Sequence, residues 1–270
     1  MIPLKDNIPS RSSPVVNYAI LVLCGLSFAN QLAAGRGSQD IVERYGMVPA
    51  RLTAPDRPVV VRERAVVRRG PFLFREPVER ELAEPPFSPY LTLITCMFLH
   101  GGWMHFFGNM LFLYIFGDNV EDRMGHLGYA VFYVLAGILA GLVHLFSDPA
   151  SPVPTIGASG AIAGVMGAYF FLYPNARVLT IVPVFFMLEF VVLPAWVMLG
   201  FWFIIQLFQG TLAAATPGAG GVAWWAHVGG FAAGAVIVVV LRAAGFLGRY
   251  VPRAYPVDRR FAVYHHRSPW

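Results

Sequence analysis

The chain has 270 residues, of which 57% are hydrophobic and 13% charged, and its 20 Lys and Arg outweigh 15 Asp and Glu to give a net charge of +5. This balance excludes an ordinary soluble domain and describes a chain that crosses a membrane several times. The positive excess is no nucleic-acid footprint, because the Arg residues are spread through loops and tails. The only two cysteines, Cys24 and Cys96, sit in or beside apolar runs without metal-ligand or disulfide spacing, which reads as two small buried side chains and no metal site.

In chain order, a tail over residues 1–14 carries Lys5, Asp6 and Arg11. Apolar runs then predict spans at 15–33, 103–119, 127–146, 157–173, 194–210 and 225–244, an all-α, six-helix polytopic fold in a membrane domain covering 15–245. A cleaved signal peptide competes with the first span, since Leu32-Ala33-Ala34-Gly35 follows it, but cleavage would leave five crossings. The first loop, 34–90, holds ten Arg and eight acidic residues, and its segment from Arg51 to Glu84 reads as a partly ordered insertion or a membrane-surface element. Beyond span six, residues 246–270 form a basic tail. The Lys and Arg of the two tails predict cytoplasmic termini, and the long first loop does not overturn this because long loops translocate largely regardless of charge. Glu121 and Arg123, just past the second span, and Glu189, before the fifth, read as helix-end and loop anchors.

With the termini inside, spans two, four and six begin at the outer face. His100, His105 and Asn109 of span two, Ser159 of span four and His227 of span six then meet at one level. Span four runs from Gly157 to just before Pro174 and reaches only about 25 Å, short of a ~30 Å hydrocarbon core, so Ser159 is expected below the surface under an aqueous depression. A serine hydroxyl needs a base within hydrogen-bond reach, and a neutral imidazole serves near pH 7, so Ser159 and His227 form a candidate nucleophile and base. Gly160 and Gly164, and likewise Gly230 and Gly234, are small residues four apart that let two helices approach closely; Gly157 and Gly229 adjoin them.

His105 and Asn109, also four apart, share a helix face and can donate to a developing oxyanion, as can the backbone N–H of Ser159 at a helix start. His100 falls off that face and reads as a structural anchor. A core histidine or a proton relay remains open for His227, and a transporter is the class that reading would favour. No HExxH zinc motif occurs, the elbow pattern G-x-S-x-G fails at Ala161, and no second intramembrane Asp is present for a paired-aspartate protease.

Four segments in order, His100-Gly101-Gly102-Trp103-Met104-His105-Phe106-Phe107-Gly108-Asn109, the run Gly117 to Gly125, Gly157-Ala158-Ser159-Gly160 and Ala226-His227-Val228-Gly229-Gly230, resemble the rhomboid family of intramembrane serine proteases. The resemblance implies a six-helix bundle with an outward-facing cavity and a dyad of Ser159 and His227. His105 and Asn109 would line the oxyanion hole, and span five with loop 211–223 would act as gate and cap. It implies no cofactor, the lipid bilayer as surroundings, and transmembrane proteins as substrates, cut near the outer end of their helices; the expected location is the plasma (inner) membrane of a bacterium. A non-proteolytic scaffold that binds transmembrane helices is the alternative. The chain departs from the family pattern at Pro89-Tyr90-Leu91-Thr92, where many members carry Trp-Arg, and at Ala163, where some place an aromatic that supports the histidine ring.

Overall fold

The computed structural model describes residues 1–69, 72–184, 186–215 and 222–247. Most of the expected basic tail and the centre of the expected cap loop, 216–221, lie outside the described residues. A short strand, β1 (Ile2–Asp6), precedes α1 (Val15–Ala34). The first loop folds into α2 (Ser38–Tyr45), α3 (Pro49–Thr53) and a hairpin of β2 (Val60–Arg69) and β3 (Phe72–Glu81). Next come α4 (Thr92–Thr95), α5 (Trp103–Ser147), α6 (Ser159–Leu172), a second hairpin of β4 (Arg177–Val184) and β5 (Met187–Pro194), then α7 (Ala195–Ala215) and α8 (Trp224–Ala243).

The protein is mostly helical, but the expected all-α class is corrected by two sheets, one of order β1-β4-β5 and one of β2-β3. The β4–β5 segment holds Val178, Ile181, Val182, Val184, Val191 and Val192, and β-branched side chains favour a pleated surface. Glu189 is accordingly an exposed strand residue opposite Val182 rather than a helix-end anchor. In the first loop the strands form ion pairs: Arg62 pairs with Glu79 at 2.7 Å, and Arg80 reaches Glu63 at 2.7 Å and Glu43 of α2 at 2.6 Å. That last pair fixes the hairpin to the helix beside it.

Four helical stretches, Val15–Tyr45, Trp103–Ser147, Ala195–Ala215 and Trp224–Ala243, are long and apolar enough to cross a membrane. Two expected spans, 103–119 and 127–146, fall together in the 45-residue α5, and a third becomes α6, whose 14 residues fall below that length. Gly125 interrupts α5 with φ 73° and ψ 164°, a conformation natural to glycine. His105 and His144, from the two arms of α5, line the same cavity, so the element folds back on itself at Gly125.

The core is built on backbone approach. A Cβ at Gly234 would lie 1.9 Å from the Gly164 carbonyl oxygen, and one at Gly230 would lie 2.0 Å from that of Gly160. Ala136 and Ala140 of α5 sit against Gly164 and Gly160 from the other side, where added Cβ atoms would approach to 2.5 and 2.8 Å. Helix α6 is thereby clamped between α5 and α8, and every residue of it from Gly160 to Tyr169 is buried. Cys24 and Cys96 are free and buried, as their apolar context suggests.

Polar groups at the opposite end of the bundle hold the elements in register. Glu121 is fully buried and accepts hydrogen bonds from the backbone N–H groups of Val16 and Asn17 at 2.9 and 2.7 Å, capping α1 from another helix. Asp122, next to it, accepts from the Ser12 hydroxyl at 2.9 Å and ties the segment before α1 to the same junction. Asp6, at the end of β1, is buried and accepts from the Tyr169 hydroxyl of α6 and, at 3.0 Å, from the Asn119 amide of α5.

Burial pushes the Asp6 carboxyl up from 3.8 to about 7; Asp118 nearby adds to the rise, while the Tyr169 hydrogen bond and Lys5 oppose it. An acid whose folded pKa lies above its unfolded value stabilises the fold most fully below the unfolded pKa, and that stability is lost as pH rises through the folded one. The melting temperature in detergent is therefore expected to fall between pH 4 and 7, with Asp6 contributing up to about 1.4 kcal/mol per pH unit. Thermal melts of Asp6→Asn should show a flatter dependence over that interval; an unchanged slope would mean that Asp6 is ionised in the fold throughout.

Candidate active site

The starts of α5, α6 and α8 meet at a cavity of about 1250 Å³ whose lining includes His105, Asn109, Ser159, Trp202, Gln206 and His227. Ser159 is the first residue of α6, and both Ser159 and His227 are half-buried. The His227 Nε2 lies 2.8 Å from Ser159 Oγ, within hydrogen-bond reach, so the two residues picked out by sequence are in contact. The close approach of α6 and α8, where Gly230 and Gly234 meet the Gly160 and Gly164 carbonyls, makes this contact possible; a side chain at Gly230 or Gly234 would push the two helices apart.

His105 stands beside the pair. Its Nδ1 accepts the Gly101 backbone N–H at 3.2 Å, so in the neutral ring the proton sits on Nε2, which makes Nε2 a donor. That nitrogen faces Gly157: a Cβ there would be 2.6 Å from His105 Nε2 and 3.6 Å from Ser159 Oγ. Gly157 also has φ +123° and donates its N–H to the Cys96 carbonyl at 2.9 Å, which pins the loop before α6 to the turn before α5. The residue thus serves as the bare backbone over which His105 and Ser159 converge. Asn109 lines the same cavity, is buried, and its Nδ2 has no acceptor among the described residues.

His100 lies behind His105, with ring centroids 5.3 Å apart. It is absent from the cavity lining; its ring packs edge-on against Phe106 and Phe28, while its backbone N–H and C=O are both bound by the Gln31 amide of α1, at 2.9 and 3.2 Å. It anchors the loop, in keeping with its position off the His105 face. The loops around the cavity are tied too: Met47 and Thr155 exchange backbone hydrogen bonds at 3.0 and 2.7 Å, joining the first loop to the segment that enters α6.

Three neighbours of His227 escaped the sequence reading. Gln206 of α7, buried, places Oε1 2.7 Å from His227 Nδ1. Trp202, one turn earlier on α7, has its ring centroid 5.9 Å from that of the histidine, and Trp224 meets it edge-on at 6.1 Å. Aromatic neighbours to the His227 ring thus come from α7 and α8, not from position 163. A Gln within an apolar run was the available signal, because such a side chain is costly in hydrocarbon unless it finds a partner.

Both faces of Gly157 are committed, so Gly157→Ala is expected to cost about 2 kcal/mol or more through its backbone conformation and its collision with His105. Thermal melts should show a clear drop for Gly157→Ala and none for Gly108→Ala, where an added Cβ meets nothing within 4 Å. Equal melting temperatures for the two variants would mean that the loop yields without strain.

The Rhomboid domain family matches residues 88–244. Among named proteins, the chain is 35% identical over 91 residues to RHOMBOID-like protein 5 of Arabidopsis thaliana, covering 34% of this chain and 29% of that one. It is 30% identical over 96 residues to Rhomboid protein 1, mitochondrial, of Saccharomyces cerevisiae, covering 34% and 28%. With a candidate rhomboid protease of Bacillus subtilis, YdcA, it shares 32% over 80 residues, covering 30% and 40%. The matched segments thus span well under half the length of these relatives. They come from a plant, a yeast and a bacterium, so the expected bacterial plasma membrane gains no support from them; the apolar helices support a membrane protein.

Proposed function

Since the chain belongs to the rhomboid family, whose domain covers residues 88–244, we propose that it is an intramembrane serine endopeptidase with Ser159 as nucleophile and His227 as general base. The observation that carries this reading is the 2.8 Å contact between Oγ and Nε2 at the wall of a large cavity. In this reading α5 contributes two crossings and α6 a short one, for six in all. The termini are cytoplasmic, the cavity opens outward, and the substrates are transmembrane helices cut near their outer ends.

The chemistry follows from the placement of protons. Nε2 of neutral His227 takes the Ser159 proton as Oγ attacks the scissile carbonyl carbon, giving a tetrahedral oxyanion and an imidazolium. His105 Nε2–H, Asn109 Nδ2–H and the N–H groups of the first turn of α6 are the donors for that oxyanion. The imidazolium then returns the proton to the departing amine as the C–N bond breaks. Water, activated by the same nitrogen, hydrolyses the acyl ester and restores the serine. No metal or cofactor enters the scheme.

A fluorophosphonate probe tests the nucleophile: wild type is expected to be labelled and Ser159→Ala not. Absence of wild-type labelling would favour a helix-binding scaffold, and labelling that survives Ser159→Ala would reassign the nucleophile. Removing an oxyanion donor typically costs ~10²–10³ in rate, so Asn109→Ala should cleave a single-span substrate that much more slowly while inserting normally. Unchanged cleavage would exclude Asn109 from the transition state.

A further inference from the structure

His227 has two nitrogens and only one tautomer that works. For Nε2 to accept the Ser159 proton, the ring proton of the neutral imidazole must sit on Nδ1, and something must hold it there. Among the described residues no carboxylate does so: the hydrogen-bond partner of Nδ1 is Gln206 Oε1 at 2.7 Å. A carboxamide oxygen only accepts, so with this orientation Gln206 draws the proton to Nδ1 and leaves the Nε2 lone pair facing Oγ. The opposite amide orientation would turn Nδ1 into an acceptor and put the proton on Nε2, where it would block the base.

Resting on the serine-protease reading above, we propose that Gln206 is the third member of the site, a positioning residue that fixes the tautomer and ring plane of His227. Three features support it. Gln206 is buried at the cavity wall, where an unmatched amide would be costly. Trp202 lies four residues earlier on the same face of α7, so one helix delivers both the hydrogen bond and an aromatic neighbour to the imidazole. Finally, the amide is neutral throughout: Gln206 keeps its hydrogen bond to Nδ1–H when His227 is protonated and takes no proton itself.

A consequence concerns α7. Among the four long apolar helices it is the least buried within the protein, yet it carries the group that readies the base. Displacement of α7 breaks the 2.7 Å bond and releases the His227 tautomer, so the base is set only when this helix is in place.

Histidine ¹⁵N NMR of the full-length protein in detergent, with wild type, Gln206→Leu and Gln206→Glu, tests the assignment apart from turnover. Wild-type His227 is expected as the Nδ1–H tautomer, and Gln206→Leu as a mixture with Nε2–H. Cleavage kinetics of Gln206→Leu should show a 10- to 100-fold fall in kcat with KM nearly unchanged. Gln206→Glu, which keeps the acceptor and adds a charge, should recover much of kcat and move the acid limb of the pH profile upward. A wild-type Nε2–H tautomer, or an unchanged tautomer, kcat and pH profile in Gln206→Leu, would overturn the proposal. If wild type shows the expected tautomer and Gln206→Leu loses it, but no variant binds the fluorophosphonate probe, then the protease reading has failed while the role of Gln206 in holding the ring stands.

Discussion

The backbone contact between α6 and α8 is the constraint on which the rest depends. Where Gly234 meets the Gly164 carbonyl and Gly230 meets that of Gly160, the helices touch without side chains between them. One helix carries Ser159 at its first turn and the other carries His227 at its own, so the contact sets the distance between the two functional groups. Without a strong hydrophobic force between helices in lipid, such packing depends on dispersion and close fit, which glycine permits. The alanines of α5 complete the clamp on the opposite side of α6.

Packing alone leaves rotation and depth undetermined, and polar groups supply both. At the far end, Glu121 caps α1 and Asp6 joins β1 to α5 and α6 through Asn119 and Tyr169. At the cavity end, the Gly157 N–H is held by the Cys96 carbonyl and the His100 backbone by Gln31. Each bond satisfies a group that would otherwise be costly in a dry interior, and each joins segments far apart in the chain. Helix α6, short as it is, is thus fixed at both ends.

Several of these features are legible in the sequence. Ser159, His227, His105 and Asn109 are polar residues in apolar runs, and span parity alone gathers them; Gly160, Gly164, Gly230 and Gly234 announce a tight helix pair by spacing. Gln206 carried the same kind of signal but lacked a recognisable spacing to a partner, so only the fold connects it to His227, 21 residues away in sequence. The β4–β5 hairpin is masked by its apolar composition, which looks like any other loop between spans until β-branching is weighed. Pairing of β1 with β4 joins the first residues of the chain to Val178–Ile181, a contact that no local pattern encodes. Loop 1 hid its order for a related reason: its hairpin is stabilised by cross-strand Arg–Glu pairs that composition registers only as charge.

A neutral amide behind the histidine also suits the setting. A carboxylate in that place would raise the basicity of His227, but it would have to be desolvated beside apolar helices, and a buried charge without full compensation is strongly disfavoured. With Gln206 the resting site holds no net charge among Ser159, His227 and the amide. In the proposed reaction charge would appear only as acyl transfer proceeds, when the imidazolium and the oxyanion form together and attract one another across a short distance in a poorly screened cavity. In that reading the donors from α5 and the first turn of α6 would receive the negative member of that pair, while the Gln206 oxygen, 2.7 Å from Nδ1, would face the positive one. An arrangement that avoids a buried ion at rest would thus concentrate its stabilisation on the transition state, with groups carried by four separate helices, three of which, α5, α6 and α8, are spaced by glycine contacts.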